Sequence, residues 1–399
     1  MRIGDPGQHL ITIASRPDTV FVEGHGSWLI DEGGKRYLDL VQGWAVNSLG
    51  HSPPLVAQAL AAQSKRLLNP GPAYFNRPML DLAQRLVEVS CFDRVFLASS
   101  GAEANEGAVK LARRWGSRMR GGAHEIIGFE HGFHGRTLAM MSASGKPGWS
   151  ELYPPMPAGF AKARLNDIAS VERAVTPRSV AVMIEFVQGE AGVNLADPGF
   201  VRELRALTRE RQLLLIADEV QTGIGRCGHA FAYETFDVEP DVMTLAKGIG
   251  GGVPLAALLC KERFNCFEPG DQGGTYCGNP LMAAVGLAVV NEVCREEFLE
   301  GVRRRAERLA GGLQAVVRDH GLSGERGAGL LRALVLPADR ADRVVEAARA
   351  LQPVGLLLNA PRPNLLRLMP ALTITDAEVD EALRLLRAAL AQALGPGRR

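Results

Sequence analysis

Five short, largely apolar runs fall at residues 94–98, 125–129, 180–186, 213–217 and 242–246, separated by longer helical stretches, and 253–260 makes a sixth. This alternation constrains the fold more than any other feature. A strand with one wet face alternates apolar and polar residues, whereas near-continuous apolar strands need cover on both faces. Helices between successive strands supply that cover, which predicts an α/β fold with a mainly parallel sheet flanked by helices. Upstream, strand-like runs at 19–23, 27–30 and 36–40 bracket an Asp31-Glu-Gly-Gly turn, and helices are expected at 56–68 and 79–89. After Asn279-Pro280 a long helical region runs to about residue 320, followed by strand candidates at 330–336 and 365–369 and a helix over 376–394. The expected organisation is a large domain over 51–285 with a smaller α/β domain assembled from 1–50 and 286–399.

With 46% apolar residues the chain can bury a large core. Its formal net charge is +1 without acidic or basic blocks, which gives no footing to a nucleic acid or a membrane surface. The six cysteines form no CxxC pair and no metal-ligand spacing, so no metal is expected and a reducing, cytoplasmic setting fits. No basic head with an apolar core opens the chain, and no apolar run nears membrane-spanning length.

Two residues stand oddly for their type. Lys247 follows the 242–246 run with Gly248-Ile-Gly-Gly-Gly behind it, and Asp218 closes the 213–217 run. Desolvation pushes such a lysine toward its neutral, nucleophilic form and leaves such a carboxylate seeking a cation. Pyridoxal phosphate chemistry needs this pair: an amine to bond the cofactor's aldehyde carbon, and a carboxylate to keep its pyridine nitrogen protonated.

Phe96-Leu-Ala-Ser-Ser-Gly-Ala-Glu-Ala-Asn-Glu reads as a strand, a tight turn and a helix start, where free N–H groups and the helix dipole favour an anion. Ordinary capping accounts for the same residues. Gly223-Ile-Gly-Arg-Cys-Gly has the GxGxxG form of a dinucleotide site, but the sequence that follows is a poor match to a helix packed on that turn, so a dehydrogenase is set aside.

Taken in order, Ser99-Ser-Gly-Ala-Glu-Ala-Asn-Glu, Phe129-Glu-His-Gly-Phe-His-Gly-Arg-Thr, Glu185-Phe-Val-Gln-Gly-Glu, Asp218-Glu-Val-Gln-Thr-Gly, Ala246-Lys-Gly and Gly273-Gly-Thr-Tyr resemble the class III pyridoxal phosphate-dependent aminotransferases. The likeness runs from about Gly24 to near the C-terminus and is nearest to the acetylornithine branch, with the ornithine branch adjacent. It implies that Lys247 carries the cofactor and Asp218 pairs with its ring nitrogen. Glu219 and Val220 would lie in the same cofactor-binding segment. Gln221 would lie near the ring's phenolic oxygen, Phe133 on the ring face, and Gly101 and Ala102 against the phosphate. Thr275 would reach the phosphate of a neighbouring subunit, which implies a homodimer with shared sites. Arg136 would hold a substrate carboxylate, Gly274 would lie beside the substrate, and Arg367 would take the α-carboxylate of glutamate or 2-oxoglutarate. Glu190 would pair with Arg367 when the other substrate is bound. The implied reaction moves the δ-amino group of N2-acetylornithine to 2-oxoglutarate, in arginine biosynthesis.

The physical case for two arginines is separate: an enzyme that handles an ω-amine and then an α-amino acid needs two carboxylate anchors around one reacting carbon. Ala102 stands where the family usually has threonine, which leaves the phosphate only backbone donors there. Trp44 stands where ornithine enzymes tend to carry tyrosine; an indole with one N–H and a broad apolar face suits an acylated amine, and equally suits core packing. Other ω-aminotransferases and an aminomutase on the same fold are the rival readings. A pure binding module would be expected to lack Lys247 or Asp218.

Overall fold

The structure is a computed structural model that describes residue 7 and residues 9–395 of the 399. Its largest sheet has seven strands: β1 (Arg94–Ala98), β2 (Glu125–Phe129), β3 (Phe160–Ala163), β4 (Ser179–Ile184), β5 (Leu214–Asp218), β6 (Val242–Leu245) and β7 (Ala256–Cys260). They lie in the order β1-β7-β6-β5-β4-β2-β3. Strand β7 runs antiparallel to both neighbours, and the other pairs are parallel. Strands β4 and β5 are buried at every residue, as near-continuous apolar sequence requires of central strands.

All six apolar runs became strands, with two adjustments. The run at 253–260 pairs only from Ala256, and in the reverse sense. The connection from Leu245 to Ala256 is too short to carry the crossover helix that a parallel neighbour demands. Strand β3, with the sequence Phe-Ala-Lys-Ala, is a short edge strand that the apolar pattern did not reveal.

Helix α1 (Gly101–Met119) follows β1 directly. Its start is a capping box: Ser100 accepts from the Glu103 backbone, and Glu103 accepts from the Ser100 backbone. The face it buries includes Ala104, Gly107, Ala108, Ala112 and Gly116, small residues that let the helix sit close to the sheet. The helical region after Asn279-Pro280 is two helices, Pro280–Val293 and Glu296–His320.

Near the chain ends, Phe21–His25, Trp28–Asp31 and Arg36–Asp39 form a meander, and Val354–Leu357 joins Arg36–Asp39 in parallel. A further four-stranded sheet has the order Gly324–Ala328, Leu331–Val335, Leu365–Leu368, Asn359–Arg362. Three of these strands (Gly324–Ala328, Val354–Leu357 and Asn359–Arg362) carry glycine or proline and were not foreseen. The last helix, Asp376–Leu394, begins where the sequence placed it, and Glu378 ties it to the first strands by accepting from Trp28 Nε1 at 2.8 Å. Among the described residues no helix is long and apolar enough to cross a membrane.

Candidate active site

The ends of β1, β5 and β6 meet at one cavity of about 640 Å³. Asp218 closes β5 and is 3% exposed. Its Oδ2 accepts from Asn105 Nδ2 at 2.8 Å and lies 2.7 Å from His134 Nδ1, while its Oδ1 accepts from the Val220 backbone at 3.0 Å. A carboxylate only accepts, so the His134 proton sits on Nδ1. Asn105 is fixed in turn: Thr244 Oγ1 donates to its Oδ1 at 2.6 Å, and its Nδ2 also reaches the His134 carbonyl at 2.8 Å. The aspartate therefore stands in a buried network that fixes both of its oxygens.

Lys247 follows β6 with a left-handed backbone, φ 46°. Burial pushes its amine pKa down, with Asp218 opposing the shift and Arg367 adding to it. No hydrogen bond or ion pair holds the amine within the described residues. Glu185, just past β4, accepts from the Phe133 backbone at 2.8 Å. Burial, and then the neighbouring Asp218, drives its pKa well above the usual carboxylate range.

Above the turn at Ser99-Ser100, the N–H groups of Gly101 and Ala102 find no acceptor among the described residues, and both residues line the cavity. A Cβ on Gly101 would stand 2.8 Å from Val220 Cγ1, so glycine lets the helix start lie this close to Val220. On the far side Arg367 is 1% exposed and fans out to three partners. Nε donates to Asn359 Oδ1 at 3.0 Å, Nη1 to Gln221 Oε1 at 3.5 Å, and Nη2 to Glu190 Oε2 at 3.4 Å. Arg136 is exposed at the opening, 5.6 Å from the Trp149 ring, and Phe133 packs edge-on against that ring at 5.6 Å.

Trp44 is no core residue: it is 56% exposed and lines the cavity. It sits in a left-handed turn in which Gln42, Gly43, Trp44 and Ala45 have φ of 49°, 61°, 62° and 66°. For residues with a Cβ this costs roughly 1–2 kcal/mol each. Asp39 holds the turn, accepting from the Val41 and Gln42 backbones at 2.7 and 3.1 Å, and its Oδ2 lies 2.8 Å from His51 Nε2.

Lys247, Asp218, Gly101, Ala102, Phe133, Val220, Gln221, Arg136, Glu190, Arg367 and Trp44 are thus brought to one cavity. Glu219, Gly274 and Thr275 are not. Side chains alternate at a strand end, so Glu219 points away from Asp218 and accepts from the Ala232 and Tyr233 backbones at 2.9 and 2.8 Å. Thr275 lies exposed in the loop at 273–277. The residues missed from sequence are Asn105, His134 and Asn359. Asn105 and His134 had a signal, each standing in a quoted motif; Asn359 had none beyond being polar in apolar surroundings.

These groups fit pyridoxal phosphate. Two free backbone donors at a helix start suit its phosphate, a network-held carboxylate suits its ring nitrogen, and a desolvated amine suits its aldehyde. The GxGxxG segment serves another end: Arg226 is buried and donates to the Leu330 and Pro370 carbonyls at 3.2 and 2.6 Å, tying together the residues just before Leu331–Val335 and just after Leu365–Leu368.

The chain matches the family model for aminotransferase class III over residues 13–390. It is 58% identical to acetylornithine aminotransferase of Ralstonia nicotianae over 96% of this chain and 98% of that one. Among solved structures it resembles N-acetylornithine aminotransferase of Stenotrophomonas maltophilia, with a TM-score of 0.82 at 36% identity, covering 94% of this chain and 96% of that one. It also resembles ornithine aminotransferase of Toxoplasma gondii, described with pyridoxal phosphate at its active site, with a TM-score of 0.91 at 29% identity over 97% and 93%.

Proposed function

The chain belongs to the class III aminotransferases, and from that premise we propose that it moves the δ-amino group of N2-acetyl-L-ornithine to 2-oxoglutarate. The products are N-acetylglutamate 5-semialdehyde and L-glutamate, an arginine-biosynthetic step. Pyridoxal phosphate, when bound, supplies an aldehyde that captures the substrate amine and a ring that accepts the electrons released beside it.

The remaining work falls to the chain. Gly101 and Ala102 offer their N–H groups to the phosphate, and Asp218 keeps the ring nitrogen protonated. Asn105 and His134 hold that carboxylate in place. Lys247 Nζ, kept toward neutrality by burial, removes the proton from the carbon that bears the amine and returns it on the other side of the reaction. Arg136 anchors the donor's carboxylate. In that half-reaction Glu190 covers Arg367; in the other, the α-carboxylate of 2-oxoglutarate displaces it. Trp44 sets an indole at the opening, where an acetylated amine fits better than a charged one.

The observation that carries this reading is the convergence of Lys247, Asp218 and the Glu190–Arg367 pair on one cavity. A homodimer with shared sites belongs to the same proposal. Its support is the exposure of Leu68, Tyr74, Phe75 and Tyr276 on two segments tied together by Asn279 Nδ2 to the Leu68 carbonyl and Asn76 Nδ2 to the Gly278 carbonyl, apolar side chains that a second copy would cover. The domain limits 1–50, 51–285 and 286–399 also belong to it, supported by the pairing of Arg36–Asp39 with Val354–Leu357. So does a cytoplasmic location, which suits six unpaired thiols. Lys247→Ala is the test: turnover and the absorbance of the bound cofactor's link to the lysine should both vanish. Ordinary activity in that variant would overturn the assignment.

A further inference from the structure

Glu190 has a second cation. Its Oε2 faces Arg367 Nη2 at 3.4 Å, and its Oε1 faces Lys146 Nζ at 3.3 Å. Lys146 does not line the cavity. It stands behind the glutamate, with its ammonium 5.3 Å from the Trp149 ring. The loop that carries it is pinned, because Gly145 N donates to the Gly132 carbonyl at 3.0 Å and His131 N to the Gly145 carbonyl at 2.9 Å. Lys146 is therefore fixed to the segment that leads into Phe133 and Arg136.

We propose that Lys146 is a positioning residue for the acceptor half-reaction, holding Glu190 whenever a substrate α-carboxylate occupies Arg367. The proposal rests on the two-anchor reading above. With the donor bound, Glu190 bridges both cations. When the 2-oxoglutarate carboxylate takes Arg367, the glutamate loses that partner but keeps Lys146, so its charge is never left alone in a half-buried site. Removing Lys146 penalises the displaced state, in which no other cation among the described residues faces Glu190, more than the covered state, in which Arg367 remains. The energetic effect therefore falls on acceptor binding and spares the donor.

The test is steady-state kinetics of the holoenzyme with each substrate varied. Lys146→Met should raise KM for 2-oxoglutarate about fivefold, equivalent to ~1 kcal/mol, while KM for the donor stays within about twofold. Lys146→Arg should restore the acceptor KM. In a Glu190→Gln background Lys146→Met should have no further effect, since the charge it neutralises is gone. Equal KM changes for both substrates would overturn the proposal, because losing a partner that Glu190 needs only when Arg367 is taken cannot weaken donor binding equally. An unchanged acceptor KM, or a full effect in the Glu190→Gln background, would also overturn it. If the unaltered enzyme fails to consume 2-oxoglutarate, the underlying reading fails instead.

Discussion

Asp218→Asn separates what the carboxylate does for the fold from what it does for catalysis. Three donors converge on it: Asn105 Nδ2, the His134 ring and the Val220 backbone. An amide presents one acceptor oxygen and turns its NH2 toward at least one of these donors, leaving it unpaired in a buried site. That costs about 1–3 kcal/mol. At about 2.1 cal/mol/K of unfolding entropy per residue, a chain of this length should lose about 1–4 °C in Tm, read on cofactor-free protein. The chemical effect should be far larger, because a neutral partner no longer holds the ring nitrogen protonated. Stopped-flow single turnover with the donor should slow by about 10²-fold or more while the cofactor stays bound. A single-turnover rate within threefold of the unaltered enzyme, with cofactor bound, would refute the role given to Asp218.

Two further outcomes follow from the same geometry. Burial raises the Glu219 pKa to about 7, so the folded state favours its protonated form. Stability from this group is full below the unfolded value near 4.5 and is lost as pH rises through 7. Glu219→Gln should flatten that fall, by at most about 3 kcal/mol, in denaturant titrations across pH 4.5–7; an unaltered pH profile would contradict it. Gly189→Ala would place a methyl 1.7 Å from Gln221 Oε1, forcing that side chain off Arg367. The fold should survive and KM for 2-oxoglutarate should rise about three- to tenfold, and an unchanged KM would remove Gln221 from the anchor.

Much of this architecture was readable because the central strands are buried on both faces and say so in continuous apolar sequence. That Asp218 and Lys247 would stand out was legible for a related reason, since an ionisable residue ending such a run is costly to bury, and the fold sets both at the cavity. Asn105 and His134 stand in quoted motifs, but their roles escaped because these lie in contacts to a residue far along the chain. The reversed strand β7 escaped because periodicity carries no direction. Lys146 stands out only in the fold, which sets it behind Glu190.

The central claim is the choice of donor, and a coupled glutamate assay on cofactor-loaded protein addresses it most directly. We would compare kcat/KM for N2-acetylornithine, ornithine, succinyl-diaminopimelate and 4-aminobutyrate, before and after Trp44→Tyr. A clear preference for acetylornithine over ornithine is expected, narrowed by the substitution. Preference for ornithine or 4-aminobutyrate would leave the Lys247 and Asp218 chemistry standing and contradict the assignment of the pocket.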